Sequence, residues 1–366
     1  MKQLEQFFLL IDQYLNDTEF IRKHALSEKH FTRNRILTFR NTFWGLLAHT
    51  GASLQSEIPL LTRKFCGKIP SVSPQAFSKA RNKINYTSCK ELFEVSAKKL
   101  FFPKQYKGYF LAAVDASKIL PPDTPEIRNV LGTCGNQFSE RAGALISLLY
   151  DPLSDHIING ILSHCNESER KNLCTLIEQS HLENTILLLD RGYPGKEVYR
   201  FLSQHNLNYV IRMGIGDSNP RYIRESMNAD QISTDRKNPD ITHRIIRFKL
   251  KDNSEELLIT NIYDPQFTVE YFKTLYHFRW PIETKYDELK NKFQLEKFTG
   301  KTLNSVYQDM YNQMTKLNII SYLRQISLLE INSVGHKKKI SIQASIKIFL
   351  FYLPQLLQDA SKRIEI

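Results

Sequence analysis

The sequence predicts a mixed α/β core, preceded by a helical region and followed by a basic helical tail. Two observations favour this fold class. Residues 1 to about 105 carry apolar side chains at helical spacing, whereas short apolar runs begin near residue 106 and alternate with helical stretches. Strands followed by a helix and another strand are typical of mixed α/β sheets. We therefore expect three regions, at 1–105, 106–330 and 331–366.

The clearest helix of the first region lies in "SPQAFSKARNKI". Ser73 suits the N-cap and Pro74 suits the first helical position. An apolar stripe of Phe77, Ala80 and Ile84 faces away from the polar residues Gln75, Lys79, Asn82 and Lys83. Lys79 and Lys83 are therefore candidates for binding nucleic-acid phosphates. The alternative is an amphipathic helix whose polar side only faces water.

A second basic segment lies upstream, in "EKHFTRNRILTFR". Its cations are Lys29, Arg33, Arg35 and Arg40. Together with the overall net charge of +12 and the pI of about 9.3, they favour a polyanionic partner. A merely soluble basic protein remains the alternative.

Two aspartates stand in the apolar runs of the core. Asp115 lies inside "GYFLAAVDASKIL", and Asp190 ends the run "NTILLLD". A carboxylate in such a place costs free energy unless it is paired or binds a metal ion. For Asp190 the alternative is a strand-end residue that caps a turn. Residues from about 214 to 268 indicate a small β-rich insertion, after which helical spacing resumes.

The stretch "YHFRWPIETKYDELK" places three side chains at −7, −4 and +7 from Glu283, namely Tyr276, Arg279 and Lys290. On one continuous helix these offsets fall within one stripe. Pro281 complicates this, because proline inside a helix removes a hydrogen bond. Either the helix is kinked or it begins near Trp280. The simplest alternative is an exposed helix with an Arg279–Glu283 ion pair.

Three carboxylates from different elements can converge to hold two Mg²⁺ ions, which prefer oxygen ligands. Two such ions activate water and stabilise a leaving oxygen in phosphodiester chemistry. Convergence of Asp115, Asp190 and Glu283 is therefore the working hypothesis.

Other compositional features exclude several classes. The five cysteines are scattered without a CxxC pair, which favours a reducing cytosol over a disulfide framework. The N-terminus lacks the features of a signal peptide, and no apolar run reaches the length of a membrane span. "GTCGNQFSERAG" lacks the form of a nucleotide-binding loop. We expect a cytoplasmic protein that neither associates with a membrane nor uses a nucleotide cofactor.

Tyr276, Arg279, Glu283 and Lys290 match the pattern Y-x2-R-x3-E-x6-K in full. This pattern resembles the signature of the IS4-family transposases, bacterial insertion-sequence DDE recombinases with an RNase H-like catalytic core. The "VDAS" and "LLLDRGY" strands look like the first and second Asp motifs of that family, and the resemblance covers about residues 106 to 330.

The resemblance implies an RNase H-like core whose acids, Asp115, Asp190 and Glu283, hold two Mg²⁺ or Mn²⁺ ions. It also implies that Tyr276, Arg279 and Lys290 hold phosphates of double-stranded DNA at the transposon end, and that Arg212 contacts DNA. A homodimer would bind two inverted-repeat ends, cut them with activated water and join the 3′-hydroxyls to target DNA.

One family feature is missing. Some members that cut through a hairpin intermediate carry a Trp where this chain has "SEELLIT". Either the hairpin step is absent or another aromatic, such as Tyr263 or Phe267, stacks on the flipped base.

Three rival interpretations remain. A nuclease or resolvase of the same fold would share the triad without needing the Tyr, Arg and Lys residues. A non-catalytic DNA-binding protein derived from a transposase predicts a broken triad, whereas all three acids are present. A basic polyanion-binding module leaves Asp115 unexplained.

Overall fold

A computed structural model describes residues 2–33, 35–49, 53–58, 72–136, 139–216, 219–250, 252–292 and 295–333, with four single positions at 341, 344, 345 and 349. The chain forms two compact units. One comprises Met1–Phe102, Lys118–Ala144 and Tyr286–Ile366, and the other comprises Pro103–Ser117 and Leu145–Lys285.

The elements are, in chain order, α1 (Lys2–Asn16), α2 (Thr18–His24), α3 (Phe39–Ala48), α4 (Pro74–Arg81), α5 (Tyr86–Lys99), β1 (Phe110–Ile119), α6 (Pro125–Leu131), β2 (Thr133–Asn136), β3 (Ser139–Ala142), β4 (Ala144–Asp151), β5 (His156–His164), α7 (Glu169–Glu178), β6 (Thr185–Leu189), α8 (Lys196–Gln204), β7 (Asn208–Met213), α9 (Arg221–Arg224), β8 (Asp230–Asp235), β9 (Asn238–Lys249), β10 (Glu255–Thr260), α10 (Val269–His277), α11 (Pro281–Asp287) and α12 (Leu303–Ser333). A π-helical turn, Glu288–Lys292, follows α11.

Helix α4 has the predicted cap. The Ser73 hydroxyl accepts a hydrogen bond from the Ala76 N–H, and Pro74 is the first helical residue. Phe77, Ala80 and Ile84 are buried as the stripe predicted, while Lys79 is exposed. The helix ends at Arg81, and Ile84, although buried, lies just beyond its end.

A single sheet of eight strands organises the chemistry-bearing unit. Its strand order is β5-β4-β1-β6-β7-β10-β9-β8. β1, β6 and β7 run parallel, and β10 pairs antiparallel with both β7 and β9. Strands β4 and β6 are buried along their whole length, as expected where both faces of a sheet are covered.

Helices α7 and α8 cover one face of this sheet. Leu173 and Leu176 of α7 and Val198 and Leu202 of α8 join the main hydrophobic cluster. The mixed α/β class is therefore confirmed. The segment 214–268 contains β8, β9 and β10, which extend the same sheet.

The status of that segment as an insertion, and the domain limits near 105 and 330, stay predictions. The predicted tail, 331–366, lies almost entirely outside the described residues. None of the described helices combines the length and apolarity that a bilayer crossing requires.

Candidate active site

Strand register places the two aspartates side by side. In the parallel pair β1–β6, Ala112 is opposite Leu187 and Ala113 is opposite Leu188. The same register continued by two residues sets Asp115 opposite Asp190. Because directly opposite residues point to the same face of a sheet, the two carboxylates share one side of it. The apolar runs that precede the two acids form buried strands, and the pairing of these strands brings the two carboxylates together.

Arg279 joins the third acid to this pair. Its guanidinium lies 3.2 Å from Asp115 Oδ2 and 3.2 Å from Asp190 Oδ2, and it also pairs with Glu283 Oε1. Arg279 is only 4% exposed, whereas Glu283 is 48% exposed. Three carboxylates distant in sequence therefore meet at one buried cation, whereas their convergence on metal ions stays a prediction.

Burial makes this site electrostatically unusual. Burial, together with the charges of Glu169 and Asp190, raises the pKa of Asp115 to about 6 against the opposing effect of Arg279. Asp190 Oδ1 and Arg279 Nε are buried without a hydrogen-bond partner among the described residues. Such unsatisfied polar atoms cost free energy, so the site is suited to receive further polar contacts.

Tyr276, Arg279 and Glu283 do not share one continuous helix, so the single stripe was wrong. Helix α10 ends at His277, and Pro281 begins α11, close to the predicted start near Trp280. Proline suits a first helical position because its missing N–H would have no intrahelical acceptor there. Arg279 consequently lies in the turn between the helices.

Tyr276 is buried, and its hydroxyl donates to the carbonyl oxygen of Leu189, 3.3 Å away. Burial and the charge of Asp190 raise the pKa of Tyr276, so it stays a neutral donor. In this structure Tyr276 therefore holds the strand end that precedes Asp190. Its predicted contact with a DNA phosphate stays a prediction.

Arg212 and Lys290 also have contacts within the protein. The β6–β7 register, continued by one residue, sets Arg212 opposite Asp190, and Arg212 pairs with the buried Glu256 at 3.1 Å. Lys290 lies in the π-helical turn and donates to the carbonyl oxygen of Lys118 at 2.6 Å. Burial lowers the pKa of Lys290. Their DNA contacts are untested predictions.

Among the candidate stacking aromatics, the structure separates buried from accessible rings. Phe267 is buried and packs edge-on against Tyr109 and Tyr271. Tyr263 is exposed, but its hydroxyl donates to the Thr242 carbonyl oxygen. Trp280, which is 42% exposed, lies directly after Arg279.

The basic residues of the first region separate into two groups. One set of cations lines a surface groove of about 1210 Å³, namely Lys29, Arg33, Arg35, Lys79 and Lys83. Arg40 was assigned to the same basic surface, but it pairs with the buried Asp12 at 2.6 Å. Arg40 thus forms a structural ion pair within the helical unit.

Sequence reasoning missed Glu169, the first residue of α7. Its pKa is raised by burial and by the charge of Asp190, while Arg279 lowers it. Its segment, "NESERKN", lies in a polar stretch, where no local signal sets one acid apart. Only the packing of α7 near the strand ends reveals it.

The donor set fits divalent cations in kind, since carboxylate oxygens are the ligands that Mg²⁺ and Mn²⁺ prefer. The orphaned Asp190 Oδ1 is such a donor. As arranged here, however, no three acids, histidines or cysteines of the described residues lie close enough to hold one metal ion. The guanidinium of Arg279 contacts all three carboxylates, so a cation would have to displace it to bind between them.

Two aspartates at neighbouring strand positions and a glutamate on a later helix define the class of three-acid, DDE-type enzymes. The sequence profile of the family "Transposase DDE domain" matches residues 108–319, more than half of the chain. The chain therefore belongs to this family, as an IS4-family DDE transposase.

Two individual proteins resemble this chain. The chain is 22% identical over 338 residues to the transposase InsG of insertion sequence element IS4 from Escherichia coli strain K12, covering 85% of this chain and 75% of that protein. It also resembles the piggyBac transposase, whose structure is that of a synaptic complex with hairpin DNA. That similarity has a TM-score of 0.56 at 12% identity and covers 98% of this chain and 82% of the other. It supports the fold.

Proposed function

We propose that this transposase binds the inverted-repeat ends of its own insertion sequence as a homodimer, cuts the DNA there and joins the freed 3′-hydroxyls to target DNA. The observation that carries the proposal is the meeting of Asp115, Asp190 and Glu283 at Arg279. Three acids gathered around a buried arginine are costly for folding alone and are explained by chemistry that needs oxygen ligands.

The three carboxylates would hold the metal ions. When bound, two Mg²⁺ or Mn²⁺ ions would activate the attacking water and stabilise the leaving oxygen. Asp115 and Asp190 are held by the paired strands, so their separation is set by the sheet. Glu283, on the first turn of α11 and half exposed, is the acid with the most freedom to adjust.

Arg279 would exchange one set of anions for another. Its planar guanidinium binds carboxylates here and has the geometry to bind a phosphate bidentately. A DNA phosphate and divalent cations arriving together would preserve charge balance, since the cations replace Arg279 beside the acids. Tyr276, Lys290 and Arg212 would be the further DNA contacts implied by the signature.

The basic groove of the helical unit would bind a further stretch of DNA. Among the described contacts, no acid forms an ion pair with the five cations that line it, which are Lys29, Arg33, Arg35, Lys79 and Lys83. Each phosphate contact made there makes the slope of log association constant against log salt concentration steeper by about 0.9. Replacing Lys79 and Lys83 with alanine should therefore weaken binding and flatten that slope by about 2.

The test uses the purified full-length protein, labelled duplexes that carry the terminal repeats flanking its gene, a target plasmid and Mg²⁺ or Mn²⁺. Asp115→Asn, Asp190→Asn and Glu283→Gln should each reduce cleavage by roughly a thousandfold or more while end binding persists. Glu178→Gln, at the exposed end of α7, is the matched control and should cut like the wild type.

Three outcomes decide between the proposal and its rivals. Cleavage followed by joining supports a transposase. Cleavage without joining supports a nuclease or resolvase. Undiminished cleavage in all three acid variants would overturn the active-site assignment.

A further inference from the structure

A fourth carboxylate, that of Glu169 at the start of α7, is coupled electrostatically to two of the three acids. The charge of Glu169 raises the pKa of Asp115, and the charge of Asp190 raises that of Glu169. Both carboxylates also feel the opposing positive charge of Arg279. Glu169 therefore belongs to the same electrostatic cluster, and its contacts in the structure show how it is placed there.

Packing fixes the position of Glu169. A Cβ atom added to Gly192 would lie 2.9 Å from Glu169 Oε2, so the carboxylate rests directly against this glycine. The neighbouring Arg170 donates its Nε–H to the Gly192 carbonyl oxygen at 3.1 Å. Gly192 lies two residues after Asp190. The start of α7 is therefore packed on the loop that carries the second aspartate.

Tyr193 provides a second, independent observation. Its ring is 1% exposed, and its hydroxyl has no hydrogen-bond partner among the described residues. Burial first, and then the charges of Asp115, Glu169 and Asp190, raise its pKa well above the usual value, with Arg279 opposing them. A buried hydroxyl that has no partner and is coupled to these charges is suited to donate to an oxygen of a bound ligand.

We infer that Glu169 is a fourth oxygen donor for the divalent cations of this transposase. The inference rests on the proposed function, which assigns the cations to Asp115, Asp190 and Glu283. Among the described residues, the Glu169 carboxylate has no hydrogen bond or ion pair of its own. Four ionised carboxylates carry four negative charges, which two divalent ions would neutralise once Arg279 has moved aside, and such ions take six or more oxygen ligands each.

The experiment measures Mn²⁺ binding to the full-length protein without DNA, from the electron paramagnetic resonance signal of the free ion. Glu169→Gln should lower the affinity about ten- to a hundredfold. Gly192→Ala, which displaces the carboxylate without removing it, should lower it less. Glu178→Gln, on the same helix and with the same charge change, should bind like the wild type.

Two further variants separate the possible failures. Glu169→Asp keeps the charge and should recover part of the affinity, and circular dichroism checks that each variant is folded. If Asp190→Asn weakens Mn²⁺ binding while Glu169→Gln equals Glu178→Gln, the inference about Glu169 is overturned and the proposed function stands. If Asp190→Asn also binds like the wild type, both are overturned.

Discussion

Substitution of Arg279 by glutamine removes the cation that Asp115, Asp190 and Glu283 share. Two of the contacts are 3.2 Å long, and each is worth about 5 kcal/mol at an effective dielectric constant of 20, before desolvation is subtracted. Losing one partner of a buried ion pair costs about 3–5 kcal/mol.

The cost here should be smaller, because the side chains of Asp190 and Glu283 are 33% and 48% exposed. We expect Arg279→Gln to lower the free energy of unfolding by about 2–3 kcal/mol. At about 2–4 °C per kcal/mol for a domain of 150–250 residues, Tm should fall by roughly 4–12 °C.

Divalent cations should reverse part of this loss. A unit positive charge about 4 Å from a divalent ion opposes its binding by about 2 kcal/mol even in a water-like dielectric. Without Arg279, the acids should therefore bind Mn²⁺ roughly thirtyfold more tightly. At equal, near-saturating Mn²⁺, the variant should gain about 2 kcal/mol more stability than the wild type.

The assay is thermal unfolding with Mn²⁺ and with EDTA. Arg244→Gln is the matched control, since Arg244 is buried, pairs with Asp230 and donates to the Phe267 carbonyl oxygen. It should destabilise the protein and gain from Mn²⁺ only the stability that the wild type gains. Equal Mn²⁺ responses of the two variants would refute the idea that Arg279 occupies the space of the cations.

Three further predictions concern stability. Burial lowers the pKa of His243 to about 4, so between pH 6.5 and 4 the unfolded chain binds a proton that the folded chain does not. The free energy of unfolding should therefore fall by up to about 3 kcal/mol as the pH drops through this range. Urea titrations should show this loss in the wild type relative to His243→Gln. Arg81→Met should cost about 3–5 kcal/mol in urea unfolding, because it leaves Asp309 unpaired, and adding Asp309→Leu should recover part of it. Gly45→Ala should cost about 1–3 kcal/mol despite the better helix propensity of alanine, because its Cβ would lie 2.6 Å from the Phe77 ring; a Phe77→Leu background should reduce that cost.

Local sequence signals were sufficient where neighbours along the chain determine the structure. The cap of α4 depends on Ser73 and Pro74, which are adjacent to the helix they begin. Asp115 and Asp190 stand out because each interrupts or ends an apolar strand. In these cases the residue and the signal that identifies it lie within about one turn of chain.

Contacts between distant segments could not be predicted in the same way. Arg279 and Asp115 are 164 positions apart, and nothing near either residue names the other as its partner. Arg81 is a similar case: periodicity treats a long cation as a surface residue, yet its partner Asp309, 228 positions away, makes it a buried one. Glu169 becomes distinctive only through its packing against Gly192.

Pro281 explains why one continuous helix was the wrong geometry for the signature residues. A straight helix would need an N–H at residue 281 to donate to the His277 carbonyl oxygen, and proline has none. The chain instead turns after His277, and the Glu283 N–H donates to the Trp280 carbonyl oxygen as α11 begins. This places Glu283 in a first helical turn, where the helix dipole favours a carboxylate. It also releases Arg279 from a regular helix into a turn, from which its guanidinium reaches both strand-borne aspartates. The spacing of the signature therefore corresponds to two helices joined by a short turn. The break at Pro281 allows the arginine and the glutamate to meet the two aspartates.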